Sequence, residues 1–175
     1  MKPSANSKPE FDLVWKVAGL KTKEEVYSLW SDVGVLSDPE QARKRGEQLV
    51  FVVRSPKGKV IAESTAFKVP VRQLRNWFYG MRLMVTSREA PPGLLPELAR
   101  RTVEFLESLP RTDEHERCRG VITLVENERL KRSHTKAVWP ASGMVYIGNS
   151  AKGHHLRVRY FKDEVINGPS SMLVG

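Results

Sequence analysis

Few side chains in this chain combine a reactive type with a suggestive setting. Glu63 stands among Ile61, Ala62, Ala66 and Phe67. Buried in such company, a carboxyl holds its proton to higher pH and suits a general base. On the exposed edge of a sheet it is an ordinary carboxylate. His134 lies between Arg132 and Lys136, where an imidazole either passes protons or simply faces water. Tyr146 and Tyr160 are further proton donors, or packing residues. Cys118 sits between Arg117 and Arg119, and adjacent cations lower a thiol pKa. No His–Asn partnership accompanies it, so the reading is structural. His154 and His155 are adjacent and would face opposite sides of a strand, which rules out a normal metal pair. Gly58-Lys59 lacks the upstream Gly and following Ser or Thr of a phosphate-binding loop.

A second group concerns binding. Lys68, Arg72, Arg75, Arg82 and Arg88 lie between Glu63 and Glu89 with no carboxylate among them. A solvated face usually mixes signs, so the stretch suits an anionic small molecule or an acidic protein partner. Arg72, Arg75 and Trp77 also fall in a run that interleaves basic and aromatic residues. Such a run tracks phosphates and stacks bases, or else Trp77 and Tyr79 share the core face of a strand.

These residues need a frame. The 175 residues, 40% of them hydrophobic, suit one globular domain over residues 11–166 between polar tails at 1–10 and 167–175. No apolar run approaches the roughly 18–20 residues that span a bilayer. The polar N-terminus and the single cysteine point to a cytoplasmic protein. The net charge of +9 favours acidic partners.

Alternation predicts a first strand over residues 11–17. Thr22 and Glu25 form a capping-box pattern for a helix over 23–33. Asp38-Pro39 starts a second helix, over 39–47. Strands at 49–54 and 59–69 flank the turn residues Ser55-Pro56-Lys57-Gly58 and read as a hairpin. A connection over 70–76 leads to a strand at 77–86. A helix over 94–108 follows, with Leu95, Leu98, Thr102, Phe105, Leu106 and Leu109 on one face. Strands at 120–125, 144–147 and 156–161 complete the chain, with a short charged helix after the first of them.

Asn127 follows the strand at 120–125; His134, Lys136 and Val138-Trp139 come seven, nine and eleven to twelve residues later. That layout resembles the last motif of the GCN5-related N-acetyltransferases, the GNAT family, in which Tyr, Lys and Gly-Phe follow the Asn. Here His replaces Tyr and Val replaces Gly. The element order resembles the family's as well. The resemblance implies a GNAT-like α/β fold: a mixed, mostly antiparallel twisted sheet of six to seven strands flanked by helices. It also implies acetyl-CoA-dependent transfer of an acetyl group to an amine. In that setting His134 would protonate the departing thiolate and Glu63 would serve as base. Asn127 and Lys136 would contact acetyl-CoA.

The family rests the pyrophosphate on a turn between its fourth strand and the next helix, where backbone N–H groups and the helix end attract anions. With Val85 as the strand Val, that pattern falls on Ala90, Gly93 and Leu95. Val85, Arg88, Gly93, Leu94 and Leu95 are therefore the candidate cofactor contacts. Ala90 and Leu95 depart from the family's polar and small residues, and Pro91, Pro92 and Pro96 remove donors. The departures keep an alternative open: a GNAT-like scaffold without catalysis that binds a protein or nucleic acid.

Overall fold

The computed structural model describes residues 8–86, 90–112 and 116–166. Strands β1 (Glu10–Leu13), β2 (Leu49–Arg54), β3 (Val60–Val71), β4 (Asn76–Val85), β5 (Cys118–Val125), β6 (Val145–Asn149) and β7 (His155–Tyr160) alternate with four helices. These are α1 (Leu20–Val33), α2 (Pro39–Gly46), α3 (Leu94–Ser108) and α4 (Glu128–Ser133). The strands form one sheet in the order β1-β2-β3-β4-β5-β7-β6. β4 and β5 are parallel, with Trp77 opposite Cys118 and Gly80 opposite Ile122. The pairs β1–β2, β2–β3, β5–β7 and β6–β7 are antiparallel. Parallel neighbours need a long crossover, and α3 occupies it. This is the mixed, mostly antiparallel sheet flanked by helices that the element order implies. No described helix is long and apolar enough to cross a membrane.

The chain divides into two compact units, one taking it up to Thr65 together with Leu83–Thr102, the other taking Ala66–Arg82 and the chain from Val103 onward. In the first unit, Val26, Leu29, Trp30, Ala42, Leu49, Val52, Val60 and Met84 form the core. The cap of α1 is Gly19, not Thr22. The helix starts at Leu20, so Thr22 already lies inside its first turn. β1 opens at Glu10, inside the expected tail, and ends at Leu13 rather than at residue 17. The chain turns away at Lys16, which has a φ of 60°, and leaves Val17 76% exposed. α2 starts as its sequence dictates. Asp38 Oδ1 accepts the Glu40 N–H at 2.9 Å, with Pro39 in the first position.

α3 turns a different face inward from the one its Leu spacing suggests. Leu94, Leu98, Ala99, Thr102, Val103 and Leu106 are buried, whereas Leu95, Phe105 and Leu109 are half-buried. The buried face is thus shifted round the helix toward Ala99 and Val103.

In the second unit, Phe78, Ile122 and Val158 form a core with Val69, Val71, Leu74, Ile147, Leu156 and Tyr160 around it. Gly120 lies where β7 crosses closest. A Cβ there would stand 2.1 Å from the Arg159 carbonyl oxygen, a backbone atom that cannot swing aside. Gly120→Ala should therefore cost about 1–3 kcal/mol by overpacking, measured by urea unfolding. An unchanged midpoint would mean that β5 and β7 do not pair as they do here.

Candidate functional site

The turn into α3 is built by Gly93, whose φ of 83° favours glycine. Space around its Cβ position is open. The Leu94 N–H donates to the Pro91 carbonyl at 3.2 Å and the Glu97 N–H to the Gly93 carbonyl at 3.2 Å. Pro96 has no N–H. Among the described residues, the backbone donors left without a partner at this end are those of Gly93 and Leu95. Leu94 is a core residue, while Leu95 and Val85, the last residue of β4, are half-buried. Arg88 lies outside the described residues.

The first turn of α3 also carries an acid. Glu97 Oε2 accepts Arg100 Nε at 3.0 Å and Oε1 accepts Arg100 Nη2 at 2.7 Å; Arg101 Nε donates to Oε1 at 2.7 Å. Arg101 additionally lies 4.4 Å from the Phe11 ring centroid. These two arginines thus serve Glu97 first. Together, two N–H donors and a side-chain-free Gly93 fit one anionic group such as a single phosphate, beside an acid whose charge its neighbours offset.

The Arg100 and Arg101 hydrogen bonds hold the Glu97 carboxyl at about 2, below its ordinary 4.5. Its folded-state pKa is thus below the unfolded one, so the carboxylate form favours the fold. That contribution is complete above the ordinary value and is lost as pH falls through about 2. Carboxyl NMR titration of the folded protein should give a Glu97 midpoint near that low value. A midpoint at the ordinary value would mean the arginines do not hold it.

Beyond β5, Asn127 caps α4: its Oδ1 accepts the Leu130 N–H at 3.0 Å. α4 has no buried residue. His134, at its C-terminal end, is exposed. Ser133 Oγ is 2.8 Å from His134 Nδ1, which leaves Nε2 for a substrate. Lys136 is exposed. This segment is held from below by Arg157, only 1% exposed. Its guanidinium lies 4.1 Å from the Trp139 ring centroid and donates to the carbonyls of Ala137 (3.1 Å) and His134 (3.3 Å). Trp139 Nε1 donates to the same His134 carbonyl at 3.2 Å. Burial lowers the Arg157 pKa from its ordinary value. Arg157 escapes sequence reasoning because it alternates with Leu156 and Val158, and nothing local tells which face of β7 is covered.

Glu63 is fully buried in β3, opposite Val52 of β2, so the exposed-edge alternative does not hold. Its Oε1 accepts Trp30 Nε1 at 2.8 Å and Arg45 Nη2 at 3.3 Å. The Arg45 guanidinium also lies 4.9 Å from the Trp30 ring centroid. The apolar neighbours in sequence concealed a cation brought in by α2. Next to it, Thr102 Oγ1 bonds Ser64 Oγ at 2.9 Å.

Arg72 and Arg75 are exposed on a 3-10 turn (Arg72–Leu74) and the residue after it. Trp77 is half-buried, and Tyr79 is a core residue whose ring centroid is 6.3 Å from that of Phe161. Cys118, two residues ahead of the strand expected at 120–125, opens β5 and is buried. Among the described residues no His, Cys, Asp and Glu group could hold a metal ion. Val85, Gly93, Leu94, Leu95 and Glu63 belong to the first unit, and Asn127, His134, Lys136, Arg72, Arg75 and Trp77 to the second.

No protein-family model and no curated protein matches the sequence. Solved structures do match. A phosphinothricin acetyltransferase of the GNAT superfamily from Sinorhizobium meliloti, in complex with AcCoA, is similar with a TM-score of 0.65 at 12% identity, covering 92% of this chain and 94% of its own. A GNAT-family acetyltransferase from Streptococcus pneumoniae is similar with a TM-score of 0.62 at 13% identity, covering 88% and 99%. The catalytic domain of the Tetrahymena GCN5 histone acetyltransferase, in complex with coenzyme A, gives 0.56 at 14% identity, covering 91% and 97%. At these identities the likeness is one of architecture, and this chain has the fold of the GCN5-related N-acetyltransferases.

Proposed function

We propose that this protein is an acetyl-CoA-dependent N-acetyltransferase. The observation that carries the reading is the Gly93 turn. It precedes the crossover helix between parallel strands, lacks a side chain, and retains two N–H donors. Proteins of the same fold have been solved with AcCoA and coenzyme A.

Acetyl-CoA, when bound, supplies an acetyl group activated as a thioester. The Gly93 and Leu95 N–H groups hold a phosphate oxygen at the positive end of α3. Leu94, whose N–H is engaged, contributes packing, as does Val85; Arg88 adds charge. Asn127 retains its amide NH₂ for hydrogen bonding to the cofactor while its oxygen caps α4, and Lys136 offers a cation. His134 delivers a proton from Nε2 to the departing sulfur. The acceptor amine carries an acidic group or belongs to an acidic protein, matched by Arg72 and Arg75 with Trp77 beside them. A cytoplasmic setting fits a chain whose one cysteine is buried.

Calorimetry with acetyl-CoA tests the reading. Binding should appear and weaken with salt, because the phosphate contact is ionic. No heat and no thermal shift at millimolar acetyl-CoA would leave a GNAT-like scaffold that works by binding a protein or nucleic acid.

A further inference from the structure

We infer that Ser133 is a positioning residue for His134: its hydroxyl holds the neutral imidazole with the proton on Nδ1, so that Nε2 enters acetyl transfer as a proton acceptor. The inference rests on the acetyl-transfer reading and adds the order in which His134 handles protons.

The assignment is a count of hydrogens. Ser133 is the last residue of α4. Its Oγ lies 2.9 Å from the Arg129 carbonyl oxygen, 3.4 Å from the Leu130 carbonyl oxygen and 2.8 Å from His134 Nδ1. A carbonyl only accepts, and a hydroxyl donates once. A bond back to the carbonyl four residues earlier is one that Ser makes readily in a helix. Used there, the Ser133 proton is not open to His134. The short Oγ–Nδ1 contact then takes its hydrogen from the ring. In the opposite arrangement Oγ would donate to Nδ1 and face the Arg129 oxygen at 2.9 Å with no hydrogen between them. One placement satisfies both contacts: Oγ–H on the Arg129 carbonyl and Nδ1–H on Oγ.

The rest of His134 is held as well. Its N–H donates to the Leu130 carbonyl at 2.9 Å. Its carbonyl accepts from Arg157 and Trp139. Its ring stands edge-on to the Trp139 ring at 6.1 Å between centroids.

A neutral imidazole protonated on Nδ1 carries a lone pair on Nε2. It must take a proton before it can give one. Transfer of an acetyl group from a thioester to an amine needs both acts. The N–C bond forms and the C–S bond breaks; the nitrogen loses one proton and the sulfur gains one. Nε2 accepts the proton from the nitrogen and hands it to the sulfur, and His134 ends neutral as it began. No second base is then required. That matters because Glu63 is buried and engaged by Trp30 and Arg45.

The test is long-range proton–nitrogen NMR correlation of the histidine-labelled protein at mildly alkaline pH, where imidazoles are neutral. The His134→Ala spectrum identifies which signals belong to His134. The Nδ1–H form should predominate in the unsubstituted protein. Ser133→Ala should lower the ratio of Nδ1–H to Nε2–H by about 2- to 12-fold, the strength of one ordinary hydrogen bond. Ser133→Thr keeps an oxygen able to make the same bonds and should restore the ratio. Ser133 is exposed, so both variants should keep the fold. A predominant Nε2–H form in the unsubstituted protein, a ratio shifted by less than about twofold in Ser133→Ala, or no recovery in Ser133→Thr would each overturn the proposal. The spectra need neither acetyl-CoA nor an acceptor, so any of these results leaves the acetyl-transfer reading standing. No acetyl-CoA binding in calorimetry would overturn that reading, and the role of Nε2 with it, without altering the tautomer.

Discussion

Glu63→Ala should destabilise the protein by about 3–5 kcal/mol, the usual consequence of removing one partner from a buried ion pair. Two groups lose their acceptor at once. Trp30 Nε1, in a fully buried indole, has its 2.8 Å bond to Glu63. Arg45, whose side chain is 15% exposed, would keep a charge that has little access to water. Removal also opens space at the centre of the sheet, beneath α1 and α2. Glu63→Gln keeps the shape and an oxygen for Trp30 while losing the charge that Arg45 needs, so it should cost less. Urea unfolding of the three proteins checks the order. The comparison also decides between two roles for the carboxylate. A structural Glu63 loses stability on truncation. A base would lose turnover in the Gln variant with its unfolding midpoint intact, and that result would support the catalytic reading of this residue.

His134→Ala should lower acetyl transfer by about 100- to 10,000-fold if its imidazole protonates the leaving sulfur. Acetyl-CoA affinity should scarcely change if, as proposed, the phosphate is held at the Gly93 turn. Stability should also hold. The side chain is exposed, and the contacts that fix the segment go through the His134 carbonyl, which accepts from Arg157 and Trp139 and survives the substitution. Steady-state kinetics with separate measurement of acetyl-CoA binding distinguishes these effects. A change of turnover below about threefold, against the range expected for acid assistance, would make His134 an ordinary surface residue.

The contrast between these two residues reflects how differently they could be read. His134 sits in a short local motif, and its position beside Asn127 and Lys136 follows from chain spacing. The setting of Glu63 depended on Arg45, 18 residues earlier, and Trp30, 33 residues earlier. The basic stretch between Glu63 and Glu89 was legible as charge, whereas nothing local told that Arg157 is buried beside Trp139 or that Arg159 is drawn to Glu107.

By itself the sequence determined the order of strands and helices, since Pro39, Gly58, Gly93 and the hydrophobic periods are local signals that the chain obeys wherever it folds. It also determined that β4 and β5 flank a helix long enough to join parallel neighbours. Only the tertiary structure decided which face of α3 turned inward, that Arg45 met Glu63, and that Arg157 became a buried support for the His134 segment. Burial and pairing depend on elements far apart in the chain. Alternation places a side chain on one of two faces, but it takes the neighbouring element to cover that face or leave it to solvent.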